Sequence, residues 1–449
     1  MNPEKLKFIT EHADEIKPTA ADESATKDIE NVVEGRSVDE NKVDAILEGY
    51  ETKVLTYERS NASPDASRIL IEASQPANYG AGAPIIKDLI EDPRCVGITL
   101  LTDNAAGKDF QESGLPLQQV RYSQKEHEES VLADIPGGPY DVALAFDEPQ
   151  NTPQSVLLYG AKSVFGANKL YFFAGGLVGK ATQRILSPDA DPTMDTIDAI
   201  FVEDELSKRF LCEIAHVPEA NILVTGSPLV EALEPEKAES LRAIGRKKLR
   251  ISDTALVAFF SSIVSTDEDF KKIGGAEDLN TRTYEETVAG VRIAAEHDPA
   301  REYVLIIRTH PRMLNVEPPL PIPTNLPSNM RIVRGEREEV SFDEVVYASD
   351  VLCCNPLASD VLLAAYRGRV AAITAYAGEN QSGQLCERIY GEEGIRIIRD
   401  SGRAVFAESP QGLAAILEHQ RELPQPLPKP AGSARQIIKE LLLNKKSNL

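Results

Sequence analysis

The sequence predicts an α/β protein with two doubly wound, parallel-sheet domains facing each other across a cleft, preceded by an N-terminal helical extension. Three observations predict it. From residue 68 short apolar runs alternate with amphipathic helical segments. The charged stretch "EALEPEKAESLRAIGRKKLRISD" interrupts that alternation, which then resumes. The 449 residues are also more than one core usually holds. Near-continuous apolar strands separated by helices imply parallel sheets covered on both faces.

Residues 1–65 are acidic and weakly periodic, with helical patterns at "PEKLKFITEHADEI" and "NKVDAILEGYETKVLTY", and form the extension. The N-terminal domain, 66–235, holds the expected strands "RILIEAS", "VGITLLT", "DVALAF", "KLYFFA", "DAIFVE" and "NILVTG". The C-terminal domain, 236–430, repeats the architecture with "ALVAFFSS", "YVLIIR", "MRIVRG", "VLCC", "RVAAIT" and "IRIIRD" as strands. Residues 431–449 form a last helix, "SARQIIKELLLNKK", with Ser433 placed to cap it.

Composition narrows the function classes. A formal net charge of −23 argues against nucleic acid or an acidic membrane surface as a general partner, so any anion must be held by a local cluster. No apolar run reaches membrane-span length, and the charged start does not resemble a secretory signal, so a cytoplasmic location is expected. The five cysteines include no C-x-x-C, which indicates neither a disulfide framework nor a zinc site; buried thiols are expected.

The stretch "YVLIIRTHPRML" ends an apolar strand with arginine, histidine and arginine at every second position. On an extended chain Arg308, His310 and Arg312 project from one side, and Pro311 biases His310 toward that conformation. Two guanidiniums and an imidazole at a strand's carboxyl end can hold a phosphate or diphosphate. The bland alternative is that the arginines pair with the chain's many carboxylates.

In "SDVLCCNPLASDVLLAAYRG" Ser359 is placed as a helix N-cap whose exposed N–H groups suit an anion, while Asp360 suits a sugar hydroxyl better. Plain capping explains both residues equally. The loop "AYAGENQSG" offers Glu379 and Asn380 to hydroxyls. In "SQPANYGAGAP", Gly80 and Gly82 let the backbone approach a ligand ahead of a helix that starts at Pro84, but the third glycine of the dinucleotide fingerprint is missing. Asp147 and Glu148 end another strand, and with His127 are candidates for the base that deprotonates a hydroxyl.

These segments together resemble a family. "IDAIFVEDELSKRFLCEIAHVPEANILVTGSPLVEAL" is similar to the stretch closing the N-terminal domain of GT-B fold proteins. "IIRTHPR" looks like their histidine-proline motif, and "VYASDVLCCNPLASDVLLAAYRGRVAAI" like the strand, turn and helix that follow it. Within GT-B proteins the likeness is to nucleotide-sugar enzymes: CDP-glycerol glycerophosphotransferases, glycosyltransferases with an H-P motif and UDP-N-acetylglucosamine 2-epimerases. It implies two Rossmann-like domains, the second binding a nucleotide-activated donor of UDP or CDP type as co-substrate, with no cofactor and no metal.

The resemblance further implies that His310 contacts the donor phosphate and that Ser359 lies at the phosphate-binding helix start. Ser261 and Ser262 would lie near the diphosphate, and Arg334, Gly335 and Glu336 beside the base. The implied reaction is transfer of a glycosyl or glycerophosphoryl group to a hydroxyl acceptor, in polysaccharide or glycoconjugate synthesis. The alternatives are a sugar-nucleotide 2-epimerase and a non-catalytic GT-B relative. The implied partners are the donor and the acceptor, with no nucleic acid and no transmembrane segment; a homodimer is compatible with this reading.

Overall fold

The computed structural model describes residues 53–61, 63, 65–73, 76–102, 104–120, 138–146, 167–174, 197–214, 216–261, 279–308, 320–335, 339–354, 360–377, 382–419, 426–428 and 432–444. The first sheet is built from β1 (Lys53–Glu58), β2 (Ser67–Glu72), β3 (Cys95–Thr102), β4 (Gln118–Val120), β5 (Val142–Ala145), β6 (Lys169–Phe173), β7 (Ala199–Val202) and β8 (Ile222–Val224). Its order is β4-β1-β3-β2-β5-β6-β7-β8, parallel from β3 to β8, with β1 antiparallel to both β3 and β4.

The second sheet holds β9 (Leu256–Ser261), β10 (Tyr303–Arg308), β11 (Met330–Arg334), β12 (Val351–Cys354), β13 (Val370–Thr374) and β14 (Ala404–Ala407). All five pairings are parallel, in the order β11-β10-β9-β12-β13-β14. Counted within the unit this is 3-2-1-4-5-6, the order of a dinucleotide-type Rossmann sheet. The chain is therefore an α/β protein with two Rossmann-like units.

The helices are α1 (Pro76–Glu91), α2 (Asn104–Glu112), α3 (Glu205–Glu213), α4 (Pro228–Glu231), α5 (Ala238–Lys248), α6 (Leu279–His297), α7 (Phe342–Ala348), α8 (Asp360–Tyr366), α9 (Ser382–Asp400), α10 (Pro410–His419) and α11 (Ala434–Leu443). Strand alternation sorts the core into layers. Ile69 and Ile71 share one cluster with Ile85 and Leu89 of α1 and Ile438 and Leu442 of α11. Leu305 and Ile307 pack with Val288 and Val291 of α6 and Leu413 of α10. The opposite faces of the two sheets share one continuous cluster, from Leu70 and Ala143 through Phe210 and Tyr390 to Phe259 and Ile306.

The junction is specified by close contacts. Phe210 of α3 meets Tyr390 of α9 edge to face at 6.0 Å, and a Cβ on Gly394 would lie 2.8 Å from the Phe210 ring. Helix α9 is broken at Gly391, where φ is 63° and ψ 171°, a conformation that glycine alone adopts without strain. Helix α11 returns to the first sheet, where Ser433 caps it by accepting the Gln436 N–H and Ser67 Oγ donates to the Leu443 carbonyl at 3.4 Å.

Three expected elements differ. The segment around 53–58, expected within the helical extension, is β1: its backbone pairs in register with β3 and β4, and the adjacent Val54 and Leu55 are buried in the clusters on opposite faces of the sheet. "IRIIRD" lies in α9 and is no strand: Ile397 and Ile398 are buried while Arg396 pairs with Glu393 and Asp400 along the helix, so the short apolar run has helical spacing. The sixth strand of the second sheet is instead Ala404–Ala407. Pro84 is inside α1, which begins at Pro76, so Gly80 and Gly82 lie in a helix and not in an open loop before one. A Cβ at Gly80 would meet Leu229 Cδ2 at 2.9 Å, and one at Gly82 would meet Phe110 Cζ at 3.4 Å, so both glycines serve close packing.

Candidate functional site

In the second sheet the chain leaves β9 toward β10 and returns to β12 on the other side, so the crevice at the carboxyl ends of β9 and β12 is the topological switch point. Three sequence-predicted residues end neighbouring strands there. Ser261 closes β9 and is the register partner of Arg308, which closes β10; Arg334 closes β11 and pairs with Ile307. Asp360 is the first residue of α8, after β12.

The two arginines point to opposite faces. Arg308 follows Ile306 onto the side facing the first sheet, where its Nη1 donates to the Val340 carbonyl at 3.3 Å and its guanidinium lies 5.9 Å from the Phe342 ring centroid. Arg334 follows Ile332 onto the outer face and donates to the Leu320 carbonyl at 2.5 Å. Beside it the Tyr284 hydroxyl donates to the Pro321 carbonyl at 2.7 Å, and burial pushes that phenol's pKa up. Gly335 packs tightly, since a Cβ there would lie 3.2 Å from both Ile306 Cγ2 and Val345 Cγ2.

The start of α9 is cinched to the end of β13. The Tyr376 N–H donates to Ser382 Oγ at 3.0 Å, and the Gly383 N–H donates to the Tyr376 carbonyl at 2.9 Å. A Cβ on Gly383 would lie 2.7 Å from that carbonyl oxygen, so glycine is required. Below it Thr287 Oγ1 donates to the Thr283 carbonyl, which leaves the Tyr376 hydroxyl as donor in the 3.0 Å contact between the two hydroxyls. Burial raises the Tyr376 pKa well above its ordinary value.

The first sheet has its own switch point between β2 and β5. Glu72 ends β2 there with 0% exposure, on the inward face that Leu70 also lines, and accepts the Phe146 N–H at 3.1 Å. Sequence reading missed Glu72; the available signal was a single acid closing the apolar run "RILIE". Asp147 and Glu148 follow Phe146 directly but lie outside the described residues, as do His127, His310, Arg312, Ser262, Glu336, Ser359, Glu379 and Asn380.

A polar cluster joins the units at the carboxyl end of β7. Asp204 caps α3 by accepting the Ser207 N–H at 2.8 Å. Its other oxygen accepts from the Tyr366 hydroxyl at 3.4 Å and forms an ion pair with Arg403, whose guanidinium lies 5.3 Å from the Tyr366 ring centroid. Helix cap and inter-unit contact therefore depend on one carboxylate. Sequence reading missed it.

Two other charged groups lie away from the carboxyl ends of the strands. Arg246, Arg242 and Asp350 meet beneath the amino ends of β9 and β12. The groove between α1 and α11, lined by Asp88, Glu91, Asp92, Arg435 and Lys439, has charges that pair across it. Among the described residues no group of three His, Cys, Asp or Glu is placed to hold a metal ion. Cys95, Cys353, Cys354 and Cys386 are buried free thiols and Cys212 is half-buried; burial pushes Cys353 up to about 12. No helix among the described residues is long and apolar enough to cross a membrane.

No protein-family model and no curated protein sequence matches the chain. Solved structures do. The UDP-GlcNAc 2-epimerase of Methanocaldococcus jannaschii, determined in complex with UDP-GlcNAc and UDP, aligns with TM-score 0.53 at 13% identity, over 84% of this chain and 99% of that one. A putative UDP-N-acetylglucosamine 2-epimerase from Listeria monocytogenes aligns with TM-score 0.44 at 12% identity, over 83% and 95%. The wall teichoic acid polymerase TagF aligns with TM-score 0.43 at 12% identity, over 93% and 96%. At these identities the likeness is one of fold, and the first alignment establishes it: two Rossmann-like domains in the GT-B arrangement.

Proposed function

We propose that the chain transfers a glycosyl or glycerophosphoryl group from a nucleotide-activated donor to a hydroxyl acceptor, without a metal, in polysaccharide or glycoconjugate synthesis in the cytoplasm. One observation carries this reading. Ser261 and Arg308 stand in register beside the switch point of a 3-2-1-4-5-6 sheet, in a fold shared with an enzyme solved with UDP-GlcNAc and UDP. In this reading residues 236–430 hold the donor and 66–235 the acceptor.

A leaving nucleotide gathers negative charge as its bond to the transferred group breaks. Positive groups fixed where that charge develops lower the barrier. His310, two residues beyond the end of β10, supplies this at the donor phosphate, with Arg308, Arg312, Ser261, Ser262 and Ser359 completing the grip. Glu336, Asp360, Glu379 and Asn380 take the base and sugar hydroxyls. Asp147 or Glu148, following the backbone that Glu72 holds, deprotonates the acceptor.

Thermal shift with UDP, CDP, GDP and their sugars tests donor binding, because a ligand selective for the folded state raises its melting temperature. Acceptor-dependent release of the nucleotide then tests transfer. His310→Ala should cut turnover by about 100-fold or more while the circular dichroism spectrum is unchanged; unaltered turnover removes His310 from the site. The epimerase reading draws on the alignment to a 2-epimerase. It predicts exchange of the sugar C2 proton in deuterated water with no acceptor present.

A further inference from the structure

Arg367, which follows α8, is a buried guanidinium with most of its donors unused. Its side chain is 6% exposed, and Nη2 donates to Asp343 Oδ1 at 2.7 Å. Nε and Nη1 have no hydrogen-bond partner among the described residues. Arginine keeps its proton in proteins, so the charge persists, and buried donors without acceptors are costly. Whichever N–H of Nη2 Asp343 takes, one complete forked edge of the guanidinium remains, formed by the other Nη2 N–H with either Nη1 or Nε.

A second cation stands nearby. The Arg367 guanidinium lies 5.9 Å from the Phe342 ring centroid, and that of Arg308 lies at the same distance from the same ring. Phe342 is itself held, edge to face, against Phe259 of β9 at 6.2 Å, so the ring that both guanidiniums approach is fixed in place. Asp343, which pairs with Arg367, is 52% exposed and can turn toward solvent.

We propose that Arg367, with Arg308 beside the same Phe342 ring, forms a binding site for a tetrahedral oxyanion between α7 and α8: inorganic phosphate or the phosphoryl group of a metabolite. The forked edge of Arg367 binds two oxygens and Arg308 supplies long-range attraction. The site lies against α7, where Arg367 meets Asp343 and Phe342. It is separate from the donor site proposed above, apart from Arg308, and does not depend on that assignment.

The test uses the full chain and three probes: inorganic phosphate, glycerol phosphate and malonate, each titrated by calorimetry at constant ionic strength. Wild type should bind phosphate saturably. Arg367→Gln should weaken that binding by about tenfold or more, and Arg367→Lys, which keeps the charge and loses the fork, should weaken it nearly as much. The loss caused by Arg367→Gln should persist in a His310→Ala background, which separates this site from the donor site. Tighter binding of glycerol phosphate than phosphate identifies a phosphorylated metabolite as the ligand class. No binding to wild type, binding by both Arg367 variants as tight as that of wild type, or binding of malonate alone each overturns the proposal. If Arg367→Gln does not fold, the lysine variant decides.

Discussion

Asp350 shows how much a single carboxylate can hold in place. Its oxygens accept from Arg242 Nη2 at 2.8 Å, from Arg246 Nη2 at 3.2 Å and from the Val257 N–H at 2.9 Å. Arg246 is 1% exposed, and its remaining donors reach the carbonyls of Ala348, Ser252, Asp253 and Ala255. Burial lowers the pKa of this guanidinium, and that of neighbouring Arg369 to about 10, yet both stay charged at neutral pH. Removing one partner of a buried pair leaves an uncompensated charge. Asp350→Ala should therefore destabilise the protein by about 3–5 kcal/mol in urea unfolding, and a loss below 1 kcal/mol would mean the arginines find other acceptors. At this scale the sequence was partly legible. Ser261 and Arg308 could be placed at strand ends because their strands are unbroken apolar runs. The side each arginine takes was hidden, because it depends on where α7 and the 320–321 segment lie. Glu72 was hidden because one acid in an apolar strand has no periodicity.

Helix α11 is held by charge as well as by Ile438 and Leu442. Arg94 bridges Asp92 at 2.8 Å and Glu440 at 2.7 Å, and Lys439 reaches Asp92 at 3.3 Å. The Arg94 guanidinium holds the Asp92 carboxyl well below the usual range and lowers that of Glu440. A carboxyl with a depressed folded pKa contributes stability above its unfolded pKa, roughly 4, and loses it as pH falls toward the folded value. Urea midpoints should thus fall steeply below about pH 4, and Arg94→Ala should flatten that decline; parallel profiles would remove the bracket from the account. At the element scale the parallel strands were legible because burial on both faces leaves continuous apolar runs. Short mixed segments were not. "IRIIRD" fits a strand by composition, and only the pairing of Arg396 with Glu393 and Asp400 marks it as helix. Likewise β1 follows an acidic, helix-like stretch, and only its pairing with β3 fixes it as a strand.

The two units meet through contacts between residues far apart in the chain, which is why the junction could not be read from sequence. Asp204 and Arg403 are 199 positions apart. Arg403→Ala leaves Asp204 buried with its helix-capping bond but without its ion pair. The expected result is a loss of roughly 3 kcal/mol and a larger radius of gyration in small-angle X-ray scattering; an unchanged radius would show that the Phe210 and Tyr390 packing suffices. The return of α11 to the first sheet also bears on biosynthesis. Ser67 and Leu443 touch although they are 376 positions apart. At roughly 5–20 residues per second the ribosome needs about 20–75 s between them. During that interval Ile69, Ile71 and Ile85 lack the cover that Ile438 and Leu442 later provide. The first unit begun is thus among the last to be completed, and a nascent chain stalled before residue 434 presents a sticky apolar face to chaperones.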